Sequence, residues 1–113
     1  MNDLKPQIKL EDFEKIDMRM GTVLSAEGIE GSDKLIKMEV DFGDTGKRQI
    51  LAGIKAWYKI ENLVGKQLPF VLNIEPREMM GLESQGMILA VDYKDKAVVL
   101  LPQENTENGA VIR

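Results

Sequence analysis

The clearest pattern along the chain is a two-residue alternation. In "LIKMEVDF" (35–42), Ile36, Met38, Val40 and Phe42 fall on one face and Lys37, Glu39 and Asp41 on the other, the period of a half-buried strand. The turn cluster "GDTG" (43–46) and then "KRQILAGI" (47–54) follow it, so the run predicts a hairpin. Upstream, "RMGTVLSAEGI" (19–29) carries β-formers around Gly21. Downstream, "QLPFVLNI" (67–74) reads as a strand, with Pro69 suggesting an edge position or a bulge near its start. "GMILAVDY" (86–93) and "AVVLLP" (97–102) bracket "KDK" as another hairpin, and "GAVI" (109–112) predicts a last short strand. Helical turns are predicted in two places, "LEDFEK" (10–15) and "AWYKIENLVG" (56–65), the second ending at Gly65. One stretch, "NIEPREMMGLESQGM" (73–87), fits neither period and mixes Pro, Gly, Ser, three Met and four charges. A long irregular connection in a small domain is more often a place where it meets something else.

About five core strands with one helical insert after the third predict an all-β fold. The architecture that fits is a five-stranded OB-fold Greek-key barrel with small terminal extensions. The chain has 113 residues, 43% of them hydrophobic, which is the size and core of one domain. No apolar run approaches the ~20 residues of a membrane helix, and "MNDLKPQIKLEDFEK" has no apolar signal-peptide core. With no cysteine, these features point to a cytoplasmic protein without a membrane partner.

Histidine is absent as well. That removes Ser-His and Cys-His nucleophile pairs and thiolate or imidazole zinc sites. There is no P-loop and no GxGxxG pattern. A non-catalytic binding module with no metal and no cofactor is the expectation. Net charge is −4, which taken whole argues against a nucleic-acid ligand. Its distribution changes the picture. Residues 34–77 hold 8 basic and 5 acidic side chains between acidic flanks, and local field governs binding to a polyanion. Lys34, Lys37, Lys47 and Arg48 are the candidates for a positive face, against the plainer reading of solvated charges.

These segments, taken together, resemble the tRNA-binding domain family. Its members sit at the C-terminus of many bacterial methionyl-tRNA synthetases and also occur as free-standing structure-specific tRNA-binding proteins. "DMRMGTVLSAE" (17–27) resembles the family's opening strand, "GSDKLIKMEVDFG" (31–43) its second strand, "ILAGI" (50–54) its third, and "ENLVGKQ" (61–67) the turn after it. "NIEPREMMGLESQGM" resembles the family segment Asn-Leu-x-Pro-(Arg/Lys)-Lys-Met-(Arg)-Gly-x-x-Ser-(Glu/Gln)-Gly-Met, which lines the RNA-facing side of the barrel. The resemblance implies a domain over residues 12–113, a linker or N-terminal extension over 1–11, and tRNA as partner. It also implies a homodimer and a covalently linked or separate synthetase catalytic domain. The chaperone CsaA shares this barrel and an opening like "DFEKIDMRMG", so a peptide-binding export chaperone is the alternative.

Carried over residue by residue, the RNA-binding set is Lys34, Lys37, Asn73, Arg77, Ser84, Gln85 and Met87. Arg77 offers a planar charged fork for phosphate. Asn73, Ser84 and Gln85 offer hydrogen bonds to sugar or base edges, and Met87 a polarizable apolar contact. Each has a plainer reading: Asn73 as a turn cap, Ser84 and Gln85 closing a loop on its own backbone, Met87 as core. Met79 and Met80 read equally as plugs under the loop, and Trp57 and Tyr58 as packed aromatics or base-stacking platforms. The chain departs from the family at Glu78 and Met80, where basic residues are common, which implies weak tRNA binding. Ile8, Leu10, Phe13 and Ile112 are apolar beyond what one small barrel needs and are the candidate dimer interface.

Overall fold

The computed structural model describes residues 3–113. Residues 3–9 have no regular structure and are exposed, and they lead into a single helical turn, α1 (Leu10–Phe13). The barrel follows, from β1 (Met18–Gly28), β2 (Ile36–Asp41), β3 (Lys47–Ala52), β4 (Gln67–Val71) and, after a hairpin of β5 (Arg77–Met79) and β6 (Leu82–Ser84), β7 (Met87–Ile88). A second hairpin, β8 (Ala90–Tyr93) and β9 (Lys96–Val99), and a short β10 (Val111–Ile112) complete the chain. The sheet order β3-β2-β1-β4-β7 is that of a nearly closed five-strand, OB-like barrel. Among the described residues, no helix is long and apolar enough to cross a membrane.

β1 makes this topology possible. Its first half, Met18 to Thr22, pairs with β4, and its second half, Thr22 to Gly28, pairs with β2. The register shifts between Val23 and Ser25, leaving Leu24 as a bulge, and bulges bend strands and strengthen their twist. One strand of 11 residues therefore serves two sheet directions. The alternation in β2 is realised: Ile36, Met38 and Val40 are buried with Val23, Phe42, Ile50, Leu63, Leu68 and Phe70 in one core. Phe42 and Phe70 meet edge to face, with centroids 5.4 Å apart and planes at 88°, a favoured aromatic geometry.

Three local expectations need correction. Pro69 is neither at an edge nor in a bulge; it is buried in β4, between β1 and β7. Its missing N–H costs nothing on the β1 side. Met20, opposite it, turns its own N–H and C=O to Ala110 and Gly109, so this is a non-hydrogen-bonded pair. Residues 73–87 are not irregular throughout, because β5 and β6 pair across the two-residue turn Met80–Gly81. Glu78 faces Glu83 in that pairing, and Met80 holds the left-handed φ of +53°, so neither hairpin signal was written in the residues. The segment 86–93 is not one strand: Leu89 donates to the Pro69 carbonyl at the end of β7, and the chain then leaves to pair with β9. The short helical turn expected after β3 is present as one 3-10 turn, Ile60–Asn62.

Gly21 explains how the Phe42 ring fits. A Cβ there would lie 2.6 Å from Phe42 Cε1 and 2.6 Å from Val40 Cγ1, closer than packed carbons approach. Gly21→Ala is expected to lower stability by about 1–3 kcal/mol through overpacking. The check is a fall in the urea midpoint at unchanged m-value; an unmoved midpoint would mean that the Phe42 ring has room to retreat.

Candidate nucleic-acid interface

The outer face of β1, β2 and β3 carries a groove of about 450 Å³, with Ser25, Glu27, Lys37, Glu39, Gln49 and Gln85 on its walls and Lys47 and Arg48 at one side. Strand register assembles it: Glu27 lies opposite Lys37, Ser25 opposite Glu39, and Glu39 opposite Gln49. Charge in the groove is mixed. Lys37 Nζ lies 2.7 Å from Glu27 Oε1, so its field is largely compensated. Arg48, opposite the buried Val40, spends one guanidinium nitrogen on the carbonyls of Leu72 (2.8 Å) and Gln85 (2.9 Å). Of the four cations expected to feed a positive face, Lys34 and Lys47 are exposed without an ion pair among the described residues.

β3 and the segment 83–86 close the barrel, and they do so largely with side chains. Ser84 Oγ accepts from the Leu51 N–H (2.9 Å) and donates to the Gly86 carbonyl (2.9 Å). Gln49 and Gln85 exchange bonds. The Gln85 N–H donates to the Gln49 carbonyl (2.8 Å), Gln85 Oε1 accepts from the Gln49 N–H (2.9 Å), and Gln49 Nε2 donates to the Glu83 carbonyl (2.9 Å). Gly86 is buried in the seam, where a Cβ would meet Ile50 Cδ1 at 2.8 Å and the Val71 carbonyl oxygen at 2.9 Å. Backbone groups that a continuous ladder would pair are met here by hydroxyl and amide instead.

The seven expected RNA-binding residues therefore divide. Ser84 is 3% exposed and both its hydrogen-bonding functions are occupied, so its role is structural. Gln85 lines the groove but spends its amide oxygen on β3. Asn73 clamps the segment before β1: its Oδ1 accepts from the Asp17 N–H (2.7 Å) and its Nδ2 donates to the Lys15 carbonyl (2.6 Å). Arg77, opposite Ser84 in the hairpin, is exposed and without an ion pair among the described residues. Met87 is paired with Val71 but remains 42% exposed. Lys34 lies in the 29–35 loop, which the hairpin tip touches, since Met80 Cε would lie 3.4 Å from a Cβ on Gly31. Arg77's hairpin and the Lys34 loop are thus neighbours, while Lys37 sits in the groove.

Two residues of this surface were not singled out from the sequence. Gln49 is polar on a strand that reads as apolar, and only the register opposite Glu39 exposes its role. Lys55 donates from Nζ to the Ser32 carbonyl (3.2 Å) and from its N–H to the Lys34 carbonyl (3.1 Å), long-range bonds with no local signal. Among the described residues, no group of three metal-ligating side chains occurs.

Ser84→Ala would leave the Leu51 N–H unpaired in the seam. The expected cost is about 1–3 kcal/mol of stability, measured by urea unfolding; an unchanged midpoint would mean that water or a shifted strand replaces the hydroxyl.

Comparison with known proteins agrees with this geometry. The family model "Putative tRNA binding domain" matches residues 18–111. The chain is 50% identical over 96% of its length to a methionine–tRNA ligase of Methanothrix thermoacetophila, and 46% identical over 99% of its length to one of Lactococcus lactis. It spans only 16% and 17% of those two relatives. Among solved structures, it is similar to a MetRS-related protein from Pyrococcus horikoshii, with TM-score 0.90 and 35% identity over 96% of this chain and 100% of that one. It is also similar to the chaperone CsaA of Bacillus anthracis, with TM-score 0.88 and 34% identity over 96% and 100%. On a family match that spans β1 to β10, the chain belongs to the tRNA-binding domain family.

Proposed function

We propose that this chain is a structure-specific, largely sequence-independent tRNA-binding module of a cytoplasmic methionyl-tRNA synthetase, or of a free-standing relative. In this reading residues 1–11 are the lead-in and 12–113 the domain, and the domain itself carries no catalysis. The observation that carries it is the placement of Arg77. The hairpin sets this cation, exposed and without an ion pair among the described residues, opposite Ser84, whose chain neighbour Gln85 lines the groove, and its tip lies against the loop that bears Lys34. Lys34, Lys47 and Arg77 together offer phosphate contacts around a polar groove that can meet sugar and base edges. Mixed charge inside the groove argues for few phosphate contacts and weak affinity. That suits a module that raises the local concentration of tRNA near a catalytic partner.

The CsaA likeness supplies the second reading, a peptide-binding chaperone. The higher identity to the ligases, 50% against 34%, supports the first. Mobility shifts with bulk tRNA and titration with an unfolded presecretory peptide separate them.

Under the tRNA reading, Arg77→Ala is expected to weaken binding by roughly 1–3 kcal/mol, the loss of a charged hydrogen-bonding partner, with little change in Tm. Glu78→Lys is expected to act the other way on binding. It also converts the Glu78–Glu83 repulsion into attraction, worth about 0.2–1 kcal/mol of hairpin stability. The log-log salt slope should correspond to roughly two to four phosphates per subunit. Binding that survives molar salt, or that ignores both substitutions, would overturn the assignment.

Homodimerisation belongs to the same proposal. Ile8 (65%), Leu10 (73%) and Phe13 (37%) are exposed. Ile112 is half-buried, and its neighbour Val111 (54%) presents more apolar surface. Leu4 and Ile16 are exposed as well. Such a concentration at one pair of chain ends is what a two-fold interface would cover. Sedimentation equilibrium at tens of micromolar is expected to give the dimer mass; a monomer would remove this part of the reading.

A further inference from the structure

Trp57 and Tyr58 sit side by side in sequence but have opposite surroundings. Tyr58 packs against the core, and its hydroxyl accepts from the Val99 N–H (3.0 Å). Trp57, the chain's one tryptophan, is 43% exposed. It lines a groove of about 360 Å³ between the turn after β3 and the β8–β9 hairpin, separate from the groove on β1–β3. Small residues, Gly53, Ala90 and Ala97, line it with Trp57, and Asp92 and Asp95 stand at the hairpin side. Among the described residues, neither carboxylate makes an ion pair.

We propose that this second groove receives one unpaired nucleobase of the bound RNA, stacked against Trp57 and held at its edge by Asp92 or Asp95. The inference rests on the tRNA reading above and adds a base-contacting site to it. Three features argue for a base over an apolar side chain. The volume falls within the range of small-ligand pockets, and small residues give a flat ring room to lie against the indole. Of the charged side chains lining it, Asp92 and Asp95 are acceptors, which match the amino groups of adenine, cytosine and guanine, and Lys96 is a donor. Cations for the flanking backbone are at hand. Lys96 lines the groove, and Lys55, two residues before Trp57, is tied by its own N–H to the loop carrying Lys34.

The platform is also held in place before any ligand arrives. The Trp57 N–H and the Tyr58 N–H both donate to the Ile54 carbonyl (3.0 and 3.2 Å), and Tyr58 fastens that turn to β9. Asp95 sits in the left-handed tip of the hairpin, with φ +63°, so the opposite wall is a tight turn instead of a loose loop. A preorganised aromatic gives up little freedom on stacking.

Because Trp57 is the only tryptophan, its fluorescence reports on this groove directly. Titration of the intact chain with bulk tRNA and with a single-stranded oligoadenylate is expected to quench the emission. A perfect RNA duplex should leave it nearly unchanged. Trp57→Leu, which keeps apolar bulk, is expected to lower tRNA affinity roughly tenfold by mobility shift, as loss of one base–aromatic stack does, and Trp57→Phe to retain most of it. Unchanged emission while the mobility shift shows tRNA bound would overturn this inference and leave the tRNA reading standing. Equal quenching by duplex, or quenching by an unfolded apolar peptide in place of RNA, would also overturn it. No mobility shift at all would remove the tRNA reading and this site with it.

Discussion

The barrel depends on the seam between β3 and residues 83–86. An open five-strand sheet leaves a row of unpaired backbone groups on each edge strand. Here the two edges are too irregular to pair as a ladder, because the chain must first make the β5–β6 hairpin and then turn into β7. Ser84 Oγ and the Gln49–Gln85 exchange supply the missing bonds, and Arg48 ties the same region to the end of β4. A buried N–H left without a partner costs more than a typical hydrogen bond contributes, so these side chains are not free to serve a ligand.

That constraint separates two jobs inside one motif. Asn73, Ser84, Gln85 and Gly86 build: they clamp the segment before β1, close the seam and let β3 approach. Arg77 and Met80 are left outside the barrel, and Met87, within β7, keeps a partly exposed side chain. The hairpin between them opposes like charges at Glu78 and Glu83 and carries a non-glycine residue in a left-handed turn, neither of which favours it locally. It is held by what lies at its ends: the Ser84 bonds on one side and Met80 against the Gly31 loop on the other. Local propensity is overridden here by tertiary contacts, as happens where a surface serves something besides folding.

This also explains what could be read from the residues. The β2 alternation, the GDTG turn and the resulting β2–β3 pairing were legible because one face is core and the other solvent, and period two records that directly. The barrel type, though not its strand order, followed from the number and spacing of strands. Pro69 was misplaced because its tolerance depends on which way Met20 points its backbone, a property of register, not composition. The β5–β6 hairpin was invisible because its turn lacks Asn-Gly and its strands lack β-formers. For the site, the residue types in the motif marked a segment that forms both the seam and the hairpin, but a hydroxyl or amide looks the same in sequence whether it meets RNA or a neighbouring strand. Only the 3% exposure of Ser84 and the partners of Asn73 distinguish them.

The electrostatics follow from the same division. Pairing with Glu27 and fastening by Arg48 withdraw two of the middle segment's cations from any ligand, and Glu78 offsets Arg77 along the hairpin. Six separated cations remain, of which Lys34, Lys47, Lys55 and Arg77 stand around polar and aromatic surface. Scattered cations release few counterions and bind phosphate weakly, whereas their arrangement around two grooves constrains the shape of the polyanion that fits them. A surface of this kind discriminates by geometry more than by strength. Under the proposed tRNA reading, such a surface would work best held close to a larger partner, where effective concentration supplies what intrinsic affinity does not.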